Sequence, residues 1–60
     1  MTQANLETVY EAMARAVDAV GPAQAELYLA KLALALADEL GDADRALAAI
    51  AECQAGLEAG

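Results

Sequence analysis

The segment from Leu27 to Leu40, LYLAKLALALADEL, places leucines on more than one side of a helix, and a chain of 60 residues has little else to lay against them. On the helical repeat, Leu29, Leu32, Leu36 and Leu40 form one stripe, while Leu27, Ala30, Leu34 and Ala37 fall on another part of the cylinder. The first stripe suits the chain's own core. The second is left for a partner, and Leu27, Ala30, Lys31, Leu34 and Ala37 are the expected interface residues, Lys31 laying its long stem over apolar neighbours while its ammonium reaches solvent or a carboxylate. The alternating L-A-L-A-L-A centre resembles a strand pattern, but the alanines, the length and the flanking sequence favour helix.

Two further helices flank this one. The first is expected to start near Asn5 as N-cap with Glu7 in its first turn, and its apolar positions Leu6, Val9, Tyr10, Met13, Val17 and Val20 make a plain amphipathic stripe opposite Glu7, Glu11, Arg15 and Asp18. Gly21-Pro22 ends it, proline being suited to the first turn of the second helix, which is expected over about Pro22 to Leu40. Gly41 and Asp42 then set a glycine C-cap directly before an aspartate N-cap, forcing a tight corner. The third helix is expected from Ala43 to about Gly56 with a weaker apolar set, Ala46, Leu47, Ile50, Ala51, Cys53 and Leu57, and the final LEAG should fray. The expected fold is all-α: residues 1–60 as one small domain of three helices, two long ones in a hairpin plus a shorter third, completed by oligomerisation or a partner.

Size explains why completion is needed. Sixty residues lie near the lower limit for a single core, eighteen of them are alanines that each bury little area, and the lone Cys53 admits no internal disulfide.

The chemistry available is narrow. Without histidine, and with Thr2 and Thr8 near the mobile amino terminus, Cys53 has no base to activate it, so no enzyme activity and no cofactor are expected. Paired carboxylates need a cleft that separates their pKa values, which three short helices hardly offer. Asp38, Glu39, Asp42 and Asp44 are oxygen donors of the kind calcium takes, but Asp42 reads as a cap, Asp44 as a first-turn complement to the helix dipole, and the spacing departs from a twelve-residue calcium loop. Tyr10 and Tyr28, the only aromatics, suit the rim of a core or an interface, and Cys53 reads as a small hydrophobe. A carrier-protein role fails because there is no serine to take a prosthetic arm.

A net charge of −7, ten carboxylates against Arg15, Lys31 and Arg45, argues against nucleic-acid and anionic-membrane binding. The longest strongly apolar stretch, Leu32 to Ala37, is far shorter than the roughly 20 residues of a membrane span. The start MTQANLE has no basic region followed by an apolar core, so a cytoplasmic location is expected.

The run AKLALALADELGDADRALAAIAEC (Ala30 to Cys53), with LETVYEAM upstream, resembles a small uncharacterised bacterial family, the domain of unknown function two-seven-eight-three. The similarity rests on an aromatic followed by an acid in the first helix, Tyr10 and Glu11, and on an alternating leucine run ending in Ala37-Asp38 and then Gly41-Asp42; Asp38 stands where asparagine is more usual. The resemblance implies an accessory role beside a flavin-dependent aromatic monooxygenase and supplies no catalytic residues.

Three functional expectations result. The first is a non-catalytic interaction module that self-associates, as a homodimer or higher, through the second helix. The second is an accessory subunit bound to a larger catabolic enzyme, and the third is an acidic regulator of a basic partner, whose binding would be strongly salt-sensitive. For the first, the melting temperature should rise with protein concentration; a concentration-independent melting temperature of an isolated monomer would count against it.

Overall fold

The two connecting corners determine how the chain is laid out. A computed structural model describes residues 1–58, and within them the chain forms three α-helices and no strand: α1 (Gln3–Val20), α2 (Ala25–Leu40) and α3 (Ala43–Ala55). None of these helices is long and apolar enough to cross a membrane.

The N-cap of α1 lies three residues before the expected one. Thr2 is the N-cap, in extended backbone with φ −73° and ψ 160°, and its Oγ1 accepts from the Asn5 N–H at 3.1 Å while its carbonyl accepts from the Leu6 N–H at 2.9 Å. Asn5 is therefore a helical residue that receives the cap, and Glu7 lies beyond the first turn. A threonine hydroxyl three positions upstream fulfils the N-cap role, although asparagine ranks above threonine as a cap.

The first corner also differs from expectation. Gly21 adopts φ 84° and ψ 162°, a region open essentially to glycine alone, and its N–H donates to the Val17 carbonyl at 3.1 Å. Pro22 and Ala23 occupy the centre of a turn closed by the Gln24 N–H on the Gly21 carbonyl at 3.1 Å, so proline serves as the second turn residue, where its fixed φ is equally suited. Gln24, at φ −118° and ψ 3°, separates this turn from the helix and caps α2 without a side-chain hydrogen bond. α2 thus begins at Ala25 instead of Pro22.

The second corner follows the sequence closely. Gly41 is left-handed at φ 69° and ψ 19° and donates its N–H to the Ala37 carbonyl at 3.1 Å. Asp42 then caps α3, its Oδ1 accepting from the Arg45 N–H at 3.1 Å, with Asp44 in the first turn where the dipole favours a negative charge. After Ala55 the chain leaves the helix, and Leu57 and Glu58 are exposed; Ala59 and Gly60, the rest of the segment expected to fray, lie outside the described residues.

The helices meet only near these corners. α1 touches α2, α2 touches α3, and α1 and α3 make no contact. The hairpin of the two long helices is an open one, and the radius of gyration of 13.0 Å exceeds the about 10 Å of a compact chain of this length. No described side chain is fully buried. The nearest approach to a core is a half-buried cluster around the first corner, Met13, Ala16, Val17 and Val20 with Ala25, Tyr28 and Leu32.

Because each corner rests on one glycine and one cap, Gly21→Ala should cost about 1–3 kcal/mol through its positive φ. Asp42→Ala should cost about 1 kcal/mol. Both are read as shifts in the urea midpoint of helix loss at 222 nm, and an unchanged midpoint for Gly21→Ala would mean that the turn is not held in this conformation.

Candidate functional site

Apolar surface without a partner is concentrated on α2, the helix between the two corners. Its leucines divide into two sets: at about 100° per residue, Leu29, Leu36 and Leu40 centre about 150° away from Leu27 and Leu34. The corner contacts cover neither set.

Of the stripe expected to serve the chain's own core, only Leu32 is half-buried; Leu29, Leu36 and Leu40 stay exposed. The physical reason is that α1 reaches α2 only beside the turn, so nothing stands over the middle and end of that stripe. Leu34, in the centre of α2, is 73% exposed, the most of any leucine within a helix.

The five expected interface residues fall on one side of α2, within about 120° of one another, but do not line a single groove. Leu27 and Lys31 line an open groove of about 430 Å3 at the first corner, together with Val20, Tyr28 and Leu32. Leu34 lines a second groove, of about 370 Å3, between α2 and α3, facing Ala46, Ala49, Ile50 and Cys53. Ala30 is exposed and lines neither groove, and Ala37 is half-buried at the second corner. Leu27 and Lys31 thus border one groove and Leu34 another, with Leu27 and Leu34 two turns apart on the same side of α2.

The contribution of α3 to the second groove was not assigned to an interface from the sequence. A signal was present: Ala46, Ala49, Ile50 and Cys53 recur at spacings of 3, 1 and 3, a helical stripe of its own. Small alanines on this stripe let another helix approach closely, and Ile50 supplies the bulk.

Both grooves are shallow and predominantly apolar, a lining suited to side chains from another helix more than to a polar substrate. Among the described residues no three His, Cys, Asp or Glu side chains are grouped to hold a metal ion. Cys53 is free and exposed. Compared with family models, curated proteins and solved structures, the chain matches none.

Cys53 reports on the second groove. Its thiol should react fully with a disulfide reagent in dilute protein and progressively more slowly as concentration rises, because reactivity follows exposure. A rate independent of concentration would mean that nothing covers the α2–α3 groove.

Proposed function

We propose that the chain is a non-catalytic protein–protein interaction module that self-associates through the leucine-rich α2. The observation carrying this reading is the exposure of Leu34 at the centre of that helix, with Leu27 on the same side. Leaving such a side chain in water forgoes about 1.5–3 kcal/mol of burial, and a chain without a core has no surplus to forgo it.

Two copies of α2 packed antiparallel would set Leu27 and Leu34 of each against the other, with Ala30 and Ala37 on the flank of the contact permitting a close helix approach. Lys31 would lie at the rim, its stem over the leucines. Function on this reading lies in assembly.

Light scattering on a sizing column, from micromolar to near-millimolar protein, tests it. The expected result is a species of twice 6.1 kDa or a higher multiple. Added salt should tighten it, since copies that each carry −7 repel one another at low ionic strength. Leu34→Glu should weaken association by about 3 kcal/mol, roughly a hundredfold in dissociation constant, by placing a carboxylate in an apolar contact. A wild type that stays monomeric throughout, or an oligomer indifferent to Leu34→Glu, would sink this reading; the monomer would direct attention to a larger protein as the occupant of α2.

A further inference from the structure

Exposed apolar side chains extend well beyond α2. On the N-terminal half of α1, Leu6, Val9 and Tyr10 have nothing opposite them, and Tyr10 is 67% exposed; on α3, Leu47 and Ile50 are 62% and 61% exposed. α2 itself presents leucines on nearly opposite sides, so one flat contact of helix on helix would cover a single set and leave α1 and α3 bare.

The surface area gives the scale of what is missing. The chain exposes 5292 Å2, whereas a compact monomer of its mass exposes about 3,700 Å2. Two such chains together expose about 10,600 Å2, whereas a compact body of twice the mass exposes about 6,100 Å2, so closing two copies on each other would bury about 4,500 Å2, within the range of obligate dimers. A second copy has room to close in this way, because α1 and α3 are out of contact with each other and the chain is more extended than a compact one of its length.

Building on the self-association set out above, we propose that the occupant of these surfaces is a second copy of this chain and that the two copies interlock. The α1 and α3 arms of each copy lie across α2 of the other, forming a six-helix dimer. The core absent from one chain is then assembled from two: Tyr10 and Val9 from one side and Ile50 and Leu47 from the other close over the leucines that a flat contact leaves in water. Helix content and dimerisation are coupled, so dilution that separates the copies also melts the helices.

The test is an isotope-filtered NOE experiment on wild-type protein, mixing labelled and unlabelled chains. Contacts between copies are expected from the Tyr10 ring and the Ile50 methyls to leucine methyls of α2. In parallel, Tyr10→Glu and Leu47→Glu should each raise the dissociation constant at least tenfold, although both positions are exposed in the single chain. Should either variant fail to fold, the wild-type NOE pattern still decides. A dimer whose inter-copy contacts are confined to α2 overturns the interlocked arrangement and leaves self-association standing, whereas a chain that is monomeric at every concentration overturns both.

Discussion

Everything in this structure depends on how little chain separates the helices and what those few residues permit. Gly21 adopts a backbone conformation that a side chain would strain, and Gly41 turns left-handed immediately before an aspartate cap. Each corner satisfies its own hydrogen bonds locally, through Val17, Ala37 and Asp42, and needs no packing farther along the helices. The corners hold the helix axes apart, and the apolar stripes point into open angles instead of at one another.

Composition reinforces that geometry. Alanine stabilises helix through its backbone preference and contributes little area when covered, so a chain with eighteen of them makes helices readily and cores poorly. Leucines, valines and the single isoleucine must supply the burial, and here they lie on too many sides of too few helices to cover one another. The acidic residues follow the complementary rule: Asp42 and Asp44 sit at the start of α3 and Glu26 at the start of α2, where carboxylates offset the helix dipole, and the others occupy exposed faces.

The parts of the fold legible in the sequence were those set by neighbouring residues. Gly41-Asp42 specifies a cap and a cap in succession, and the second corner has that form. The first corner was less legible because Gly21-Pro22 suits both a helix start and a turn, and Gln24, which separates the two, carries no signal of its own. Thr2 and Asn5 are both capping residue types, asparagine the stronger by type, and the cap falls on Thr2 because the chain continues helical back to Gln3. The surface was harder still. That Leu27 and Leu34 lie on a different side of α2 from Leu29, Leu36 and Leu40 was readable from periodicity, while the exposure of Leu29, Leu36 and Leu40 depends on the angle at which α1 leaves the turn, which no local pattern encodes.

The absence of any contact between α1 and α3 also bears on time. Nearly every contact in the chain joins residues close in sequence, so ordering a single molecule involves no large loop closure, and individual helices form within about a microsecond. Within one chain the only slow step is isomerisation of the Gly21–Pro22 bond, whose rate does not depend on concentration. A slow phase whose apparent rate rises with concentration must then arise from encounters between molecules and not from the topology of one chain.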